Sequence, residues 1–403
     1  MKGKKIELLA PAGNFEKLET AIHFGADAVY MGGKNFSLRN YADNFSEEDL
    51  KEGISYARSM NVKTYIACNI YPYPDEIENI REYLCLLNDL KPDALIIADP
   101  GIIRLARKYA PDLDIHLSTQ SSTTNHESVK FWKEAGVSRV NTARELSLEQ
   151  IKYIKGNSDI ELELFVHGAM CISYSGRCLL SSFMSKRSAN HGECSHPCRW
   201  KYRLEEEMRP GEYYPVAEDS RGAYFFNSRD LCMIEHIDKL IFAGADSLKI
   251  EGRMKGIFYL GAVVKVYREA VDAFLETGRH VMNPYWTELL SSVSNRQYCT
   301  GFYLGDEEAL KANTFNKKPD NIHNFLGKIS GFSDKKIMVE VRNKFKKNED
   351  IKILSVLKNP VIYKISGIYN ENMMPEEEAK PNEKVFIEIG DLNFKKGDIL
   401  FKN

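Results

Sequence analysis

The first 250 residues alternate short apolar runs with longer amphipathic stretches. Eight apolar runs have the length of buried strands: IELLA (6–10), DAVYMG (27–32), VKTYIACNI (62–70), DALIIAD (93–99), LDIHLSTQ (113–120), SRVNTA (138–143), IELELFVHG (160–168) and DSLKIEG (246–252). Repeated strand–helix units predict a parallel sheet, and eight of them favour an α/β fold of the (β/α)₈ TIM-like barrel type. A doubly wound open sheet is the alternative, but no GxGxxG motif follows the first run.

The stretches between the runs have helical periodicity. Several begin with a capping Asn, Ser or Asp and end on Gly or Asn, as in NFEKLETAIHFG (14–25), SEEDLKEGISYARSMN (46–61) and NHESVKFWKEAG (125–136). One spacing differs, because 77 residues separate the seventh and eighth runs, where a simple unit needs about half as many. We therefore expect a barrel over residues 1–282 that carries a Cys-rich insertion at about 169–244.

The chain changes character after the barrel. Residues 283–322 predict an irregular connector. From residue 323 to 403, short β-type runs such as KIMVEVRN, DIKILSV and KVFIEIG recur at turn-marked spacing. This pattern predicts a small all-β barrel or sandwich.

Polar residues alternate with apolar ones in three of the runs. In a barrel strand, one parity faces the helices and the other faces the lumen. A buried lumen tolerates charges only when they are paired or hydrogen-bonded, so these positions are either a satisfied polar network or a functional site. The residues on the lumen parity are Glu161, Glu163, Phe165 and His167 in the seventh run, Lys249, Glu251 and Arg253 in the eighth, and His116, Ser118 and Gln120 in the fifth.

Composition places few limits on function. Hydrophobic residues make up 43% and charged residues 28% of the chain, as in ordinary globular proteins. No secretory signal or membrane span is evident, so we expect a cytoplasmic protein with reduced thiols. The formal net charge of −2 excludes a generally basic nucleic-acid binder. The segment 186–203 nevertheless carries five cations and one acid, which fits either a phosphate-binding patch or a solvated loop.

The cysteines are concentrated in the insertion. Five of the eight, Cys171, Cys178, Cys194, Cys198 and Cys232, lie within 62 residues. A zinc site, an iron–sulfur cluster or a cysteine nucleophile would explain them, and the CSHPC spacing of Cys194 and Cys198 suits zinc. Inert buried cysteines are the remaining alternative. In NSRDLC we expect Ser228 or Asp230 to cap a helix whose first turn carries Cys232, lowering its thiol pKa.

Several segments resemble the peptidase U32 family, also called the collagenase-like protease family. They are ELFVHGAMCISYSGRCLLS (163–181), ELLAPAGNFEKLETAIHFGADAVYMGG, FSLRNYADNF, NSRDLC and SLKIEGRMK, and together they span roughly residues 5–275. The β-rich tail is similar to the C-terminal domain of longer members. HPCRWKY and this tail make the chain most similar to the branch that hydroxylates tRNA.

The resemblance implies an RNA-modifying enzyme of oxidoreductase type, although the family label implies a peptidase of unassigned catalytic type. That branch forms 5-hydroxyuridine at the wobble position, binds a [4Fe–4S] cluster through four cysteines and depends on prephenate as the hydroxyl source. Other members hydroxylate rRNA, and a second family member or a homo-oligomer is a further expected partner. Carried over by motif, the cluster ligands are Cys171, Cys178, Cys194 and Cys232, with Cys198 as the rival for the fourth place.

The remaining candidate residues follow from this implied chemistry. Guanidinium groups bind carboxylates in bidentate fashion, and aromatic side chains stack on bases. The candidates for proton handling are Glu163, His167, His116 and Glu251; those for the dicarboxylate are Arg39, Arg144, Arg253 and Gln120; and those for RNA are Lys186, Arg187, Arg199, Trp200 and Lys201.

Overall fold

The structure is a computed structural model of the 403-residue chain. It describes residues 5–34, 44–170, 180–185, 187, 194–195, 197, 218–219, 222–223, 229–294, 296–305 and 324–402. Within these ranges no helix is long and apolar enough to cross a membrane.

Eight parallel strands close into a barrel, as the apolar runs predict. Each strand pairs with the next in chain order, including the seventh with the eighth. The eighth strand also pairs with the first, which closes the barrel. The strands are β1 (Glu7–Pro11), β2 (Ala28–Met31), β3 (Lys63–Cys68), β4 (Ala94–Ile97), β5 (Asp114–Leu117), β6 (Arg139–Asn141), β7 (Glu161–Ala169) and β11 (Ser247–Ile250), the last separated from β7 by three short strands of the insertion.

Helices connect the strands and cover the outside of the barrel. Asn14, Ser46, Asp99, Asn125 and Ser147 cap helix N-termini by accepting a hydrogen bond from a backbone N–H of the first turn. The helices are α1 (Phe15–His23), α2 (Glu47–Ser59), α3 (Ile77–Leu90), α4 (Pro100–Tyr109), α5 (His126–Glu134), α6 (Leu148–Gly156), α7 (Leu180–Ser185), α8 (Ile237–Ala243), α9 (Ile257–Thr277) and α10 (Pro284–Val293).

The lumen of the barrel is divided into two halves. Side chains from β1 to β4 form an apolar cluster that includes Leu9, Tyr30, Tyr65 and Ile96. Side chains from β5, β6, β7 and β11 are instead polar or charged and still buried. The lumen therefore has an apolar cluster on the side of β2 to β4 and a buried polar network on the side of β5 to β11, which Glu7 of β1 joins.

The insertion between β7 and β11 returns to the sheet before the barrel closes. After the short pair β8 (Glu218–Asp219) and β9 (Gly222–Ala223), strand β10 (Asp230–Cys232) pairs antiparallel with the end of β7. Strand β12 (Tyr298–Cys299), from beyond the barrel, pairs parallel with β10. The sheet is therefore extended at the C-terminal edge of β7, where the insertion begins.

The segment expected to be an irregular connector is partly regular. Helix α10 lies within it and packs on α9, while β12 joins the sheet through β10. The expectation of irregular structure is wrong for these stretches: α10 packs on α9, the helix before it, and β12 pairs with β10, which lies more than 60 residues earlier in the chain.

The C-terminal region is an all-β domain, as predicted. Eight of its strands form one antiparallel sheet in the order β17-β16-β22-β13-β14-β21-β18-β19, and β15 pairs with β20. The strands are β13 (Asn324–Ser333), β14 (Lys336–Val341), β15 (Phe345–Lys346), β16 (Asp350–Leu354), β17 (Ile362–Lys364), β18 (Gly367–Tyr369), β19 (Pro375–Glu376), β20 (Glu378–Ala379), β21 (Lys384–Glu388) and β22 (Ile399–Lys402).

This domain packs on α1 and α9 of the barrel. The Phe258 ring contacts Phe401, with ring centroids 4.9 Å apart. At the end of α1, His23 Nε2 lies 2.7 Å from Oδ1 of the fully buried Asp398. Apolar contact and a polar pair together fix the β domain against the side of the barrel.

Candidate functional site

Charged residues of β6, β7 and β11 form a connected network inside the barrel. Glu163 is buried, and its Oε1 accepts hydrogen bonds from Lys249 Nζ at 2.7 Å and Asn141 Nδ2 at 3.0 Å. Its second oxygen, Oε2, lies 3.6 Å from a nitrogen of Arg139 and has no hydrogen-bond partner among the described residues. The lumen positions predicted for Glu163 and Lys249 are confirmed, and Glu163 is held between Lys249, Asn141 and Arg139.

His116 lies in the same lumen, on β5. Its ring packs edge-on against Tyr65, with centroids 4.5 Å apart, and within the described part of the chain its Nδ1 has no hydrogen-bond partner. Burial, followed by the positive charges of Arg139 and Lys249, lowers its pKa well below the ordinary value. His116 is therefore neutral at physiological pH and contributes an uncharged imidazole to the lumen.

Gln120 is fixed at the mouth, in a 3₁₀ turn after β5. Its Oε1 accepts hydrogen bonds from Asn69 Nδ2 at 2.6 Å and from Ser118 Oγ at 3.0 Å. The amide orientation is thereby determined, and Nε2 is buried without a partner among the residues described. This N–H₂ group is a preoriented donor for a ligand oxygen.

The candidates that follow β11 are also buried at the mouth. Glu251 accepts a hydrogen bond from the Tyr30 hydroxyl at 3.2 Å. Arg253 is 3% exposed and donates to the side-chain oxygen of Asn44, while its carbonyl accepts from Lys17 Nζ at 3.0 Å. Arg253 therefore belongs to a rigid rim, and its guanidinium already has one protein partner.

Arg144 follows β6 and reaches over β7. Its guanidinium lies 3.9 Å from the centroid of the Phe165 ring and donates to the carbonyl of Ala169 at 3.2 Å. The guanidinium is therefore stacked on an aromatic ring and joined to the end of β7. Arg39, the other candidate for a carboxylate, lies outside the described residues.

His167 does not face the lumen, so this prediction is wrong. The pairing of β7 with β11 shifts by one residue between Lys249 and Ile250, which sets His167 beside Ile250 on the outer face. There it contacts the rings of Tyr259, Tyr267 and Tyr298. Burial, with a smaller contribution from Lys255, lowers its pKa to about 3. His167 is a neutral packed side chain behind the strand rather than a group at the mouth.

Cys232 lies on a strand, not in the first turn of a helix as predicted. It ends β10 and is paired with His167, and α8 begins only at Ile237. Burial raises the pKa of its thiol to about 11, although the backbone N–H of Ile234 and the Tyr267 hydroxyl oppose this shift. The expected lowering by a helix N-terminus fails because the thiol lies on a strand and is buried.

The other clustered cysteines are only partly described. Cys194 is half-buried, and the next residue, Ser195, is held to α7 by a hydrogen bond from its N–H to Ser181 Oγ at 3.0 Å. Cys171, Cys178 and Cys198 lie outside the described residues, as do Lys186, Arg199, Trp200 and Lys201. Arg187 is half-buried, and its backbone N–H donates to the carbonyl of Ser181. Over the described positions there is no group of three potential His, Cys, Asp or Glu metal ligands.

Two residues of this region are not among the candidates predicted from the sequence. Tyr267, in the middle of α9, has its hydroxyl 3.8 Å from Cys232 Sγ and 3.3 Å from His167 Nδ1. Asn141 supports Glu163 from β6. In the sequence, Tyr267 belongs to an apolar helix, and only the packing of α9 on the end of β7 reveals its contact with the thiol.

Comparison with protein families gives matches over most of the chain. Residues 13–313 match the sequence model of peptidase family U32, and residues 321–400 match that of the peptidase family U32 C-terminal domain.

Individual relatives carry different names. A tRNA hydroxylation protein P1 of Bacillus subtilis is 40% identical over 92% of this chain and 88% of its own length. An uncharacterized protease of Methanocaldococcus jannaschii is 41% identical over 83% of this chain and 79% of its length. A 23S rRNA 5-hydroxycytidine C2501 synthase of Escherichia coli is 35% identical over 68% of this chain and 40% of its length.

Proposed function

Because the chain belongs to peptidase family U32, we propose that it hydroxylates RNA, with a uridine at the tRNA wobble position as its substrate. The names of the Bacillus subtilis and Escherichia coli relatives support RNA hydroxylation. The observation that carries the proposal is the docking of β10 on β7, which brings Cys232 to the C-terminal end of a barrel strand. Enzymes with this fold build their active sites at that end.

The proposed cofactor is a [4Fe–4S] cluster. Two of the proposed donors support it: Cys232 and Cys194 are both half-buried cysteines, and the Tyr267 hydroxyl lies 3.8 Å from Cys232 Sγ. Cys171, Cys178, Cys194 and Cys232 would hold the cluster, with Cys198 as the rival for one place. When bound, such a cluster supplies one-electron chemistry at the mouth of the barrel.

The proposed hydroxyl donor is prephenate, a dicarboxylate. Arg144 and Arg253, with Arg39, are the candidate anion-binding groups, and the preoriented Nε2 of Gln120 would donate to a further oxygen. Glu163, Glu251 and neutral His116 line the polar wall, where they would accept or relay a proton. The apolar wall of Tyr30, Tyr65 and Ile96 would exclude water from one side of the bound ring.

The proposed RNA contacts come from the basic segment 186–203 and from the β domain. Lys186, Arg187, Arg199 and Lys201 would contact phosphates and Trp200 would stack on a base, with the β domain contributing a second surface. This division leaves the polar wall free for the small substrate. It also predicts that salt weakens RNA binding more than it weakens binding of the small substrate.

The first test is a metal and nucleoside analysis of wild type and variants. Anaerobically purified protein should contain about four irons and matching acid-labile sulfide. The Cys232→Ala variant should lose both, whereas the Cys85→Ala variant, which changes an exposed cysteine, should retain both. In a strain that lacks the protein, tRNA digests should lose 5-hydroxyuridine, and wild type but not Cys232→Ala should restore it. Metal-free wild type with normal modification would contradict the cluster.

Two other functions have specific support. The name of the Methanocaldococcus jannaschii relative favours a peptidase, which would release peptides from denatured collagen in the presence of an iron chelator. The Escherichia coli relative favours an rRNA substrate. The same nucleoside analysis, applied to 23S rRNA, distinguishes an rRNA substrate from a tRNA substrate. With an rRNA substrate, the strain that lacks the protein would lose 5-hydroxycytidine and not 5-hydroxyuridine.

A further inference from the structure

The side chain of Gln120 crosses the rim of the barrel. Gln120 lies in the turn after β5, whereas its amide contacts Asn69, which follows β3. Strand β4 lies between β3 and β5 in the sheet, so the side chain reaches across the C-terminal end of β4. Gln120 is 4% exposed. Its amide is therefore buried at the end of the barrel where enzymes of this fold bind their substrates.

Two hydroxyl groups fix the main chain of this turn. The Tyr71 hydroxyl donates to the carbonyl of Gln120 at 2.8 Å. The Ser121 hydroxyl donates to the carbonyl of Ala98, just beyond β4, at 2.9 Å. Within the turn, the N–H of Ser121 donates to the carbonyl of Ser118 at 3.0 Å. Because the turn is tied to the segments that follow β3 and β4, the Gln120 side chain extends from a fixed stretch of backbone.

The oxygen of the Gln120 amide accepts two hydrogen bonds. Asn69 Nδ2 donates to Oε1 at 2.6 Å, and the Ser118 hydroxyl donates to it at 3.0 Å. A carbonyl oxygen has two lone pairs, so these donors use both. The other end of the amide, Nε2, has no hydrogen-bond partner among the described residues.

The two contacts on Oε1 are not equivalent. A hydroxyl can donate or accept, so Ser118 would fit either orientation of the Gln120 amide. Asn69 presents its N–H₂ group and fits only one, because a half-turn of the amide would set Nε2 against Nδ2 of Asn69, where two donors would meet. Asn69 therefore determines that the donor end of the amide, rather than its acceptor end, is left unpaired within the described part of the chain.

An unpaired N–H₂ group is a cost that another side chain would avoid. Burying a donor without an acceptor destabilises a fold, and such a group in a native protein requires an explanation such as a bound molecule or a catalytic role. A methionine at position 120 would fill a similar volume without the unpaired donor. The amide, held in one orientation at the rim, is therefore suited to a ligand that accepts its hydrogen bond.

From this arrangement we infer that Asn69 is a positioning residue that orients the Gln120 N–H₂ group toward an acceptor oxygen of the small substrate. This role rests on the proposed function, in which a carboxylate of prephenate supplies that oxygen. The orientation also makes the site selective, because a ligand group that only donates, such as an ammonium, would meet another donor. Asn69 contributes to this selectivity through Gln120.

The test is a double-mutant cycle on the affinity for prephenate, measured by isothermal titration calorimetry with the full-length protein purified anaerobically. Asn69→Asp replaces the N–H₂ group by a carboxylate oxygen of similar size, which turns the Gln120 amide round and leaves Oε1 toward the substrate. Gln120→Met removes the amide. The added charge of the aspartate acts in both backgrounds, so the difference between the backgrounds reports the amide alone.

Gln120→Met should raise the dissociation constant for prephenate about tenfold, as expected for loss of one hydrogen bond to a charged group. Asn69→Asp should weaken binding about tenfold more in the wild-type background than in Gln120→Met, because only the wild type has an amide to turn. Ser121→Ala is the matched control. It removes a hydroxyl hydrogen bond from the neighbouring residue of the same turn and should leave the dissociation constant unchanged.

The outcomes separate this role from the proposed function. An equal effect of Asn69→Asp in both backgrounds would overturn the role, and so would wild-type affinity in Gln120→Met. If Asn69→Asp does not fold, Asn69→Ala replaces it in the cycle. It should raise the dissociation constant about twofold in the wild-type background, where the amide then populates both orientations, and not at all in Gln120→Met; equal effects there would also overturn the role. Wild-type protein that does not bind prephenate would overturn the proposed hydroxyl donor, and the role of Asn69 with it.

Discussion

Arg139→Met should destabilise the barrel more than any loss of a surface ion pair. Arg139 is 4% exposed at the closed end of the lumen. Its guanidinium donates to Glu7 Oε1 at 2.5 Å and to Glu161 Oε2 at 2.7 Å, and it lies over the ring of Tyr65. Removing the arginine leaves the buried Glu7 carboxylate with only the exposed Lys63 Nζ, 4.0 Å from Oε2, as a cation among the described residues.

The expected cost is about 3 kcal/mol at pH 7.5, the lower end of the range for breaking a buried ion pair. Glu7 keeps hydrogen bonds from the Tyr65 hydroxyl at 2.7 Å and from Ser247 Oγ at 3.0 Å, which moderates the loss. Lys133→Met is the control, since its partner Asp159 is largely exposed. That substitution should cost less than about 0.5 kcal/mol.

The cost should also depend on pH. In the wild type, burial raises the pKa of Glu7, but the charge and hydrogen bonds of Arg139 outweigh it and the pKa is lowered overall. The wild type therefore gains stability from Glu7 above the ordinary Glu pKa of about 4.3 and loses it as the pH falls through the folded pKa. Without Arg139, burial raises the folded pKa, so the variant loses stability as the pH rises. The difference between the proteins should shrink from pH 7.5 to pH 4.

The assay is urea unfolding followed by tryptophan fluorescence. Trp132 in α5 and Trp286 in α10 lie in or against the barrel, and the chain carries no tryptophan between residues 323 and 403, so the signal follows the barrel. Adding Glu7→Gln to Arg139→Met should recover part of the loss, because no buried charge then remains unpaired. A cost below about 1 kcal/mol, or an equal cost at both pH values, would refute the reasoning.

Three further substitutions test other parts of the structure. Gly168→Ala should lower the free energy of unfolding by about 1–3 kcal/mol in thermal melts, because Gly168 has φ +108° and a Cβ there would lie 2.4 Å from the carbonyl oxygen of Glu251. Gly156→Ala, whose Cβ would meet no atom within 4 Å, should be neutral or stabilising in the same assay. His116→Gln should reduce the loss of unfolding free energy on acidification, because a histidine whose folded pKa is lowered costs up to about 1.4 kcal/mol per pH unit below the ordinary pKa near 6.5. Urea unfolding of both proteins at pH 7.5 and pH 5.5 checks this, and an equal decrease in unfolding free energy for variant and wild type would contradict it. Phe258→Ala, at the interface with the β domain, should lower the free energy of unfolding by about 3–5 kcal/mol and accelerate proteolytic separation of the two domains. Phe332→Ala, which truncates an exposed side chain, should leave the cleavage rate unchanged.

The barrel could be predicted from the sequence because its strands are continuous apolar runs. Each of the eight runs contains one strand of the structure, and the capped stretches between them are helical. Parity also placed Glu163 and Lys249 correctly in the lumen. These features depend on local pattern, which fixes both the element type and the face that each side chain presents.

The end of β7 could not be predicted in the same way. Parity assumes uninterrupted pairing, and the register shift opposite Lys249 and Ile250 reverses it for His167. For Cys232, the preceding Ser and Asp resemble a helix cap, but pairing with β7, more than 60 residues earlier, makes the segment a strand. Both errors arise where a contact between distant segments overrides a local preference.

The register shift in β7 also bears on how this barrel can change over evolutionary time. β7 already contains one extra residue relative to β11. A further change of one residue in its length would move every following side chain to the opposite face of the sheet. An insertion or deletion between Val166 and Ala169 would put the His167 imidazole into the lumen or offset Ala169 from Asp230. Point substitutions leave that alignment intact. Proteins that descend from this sequence should therefore carry substitutions in this segment but no insertions or deletions.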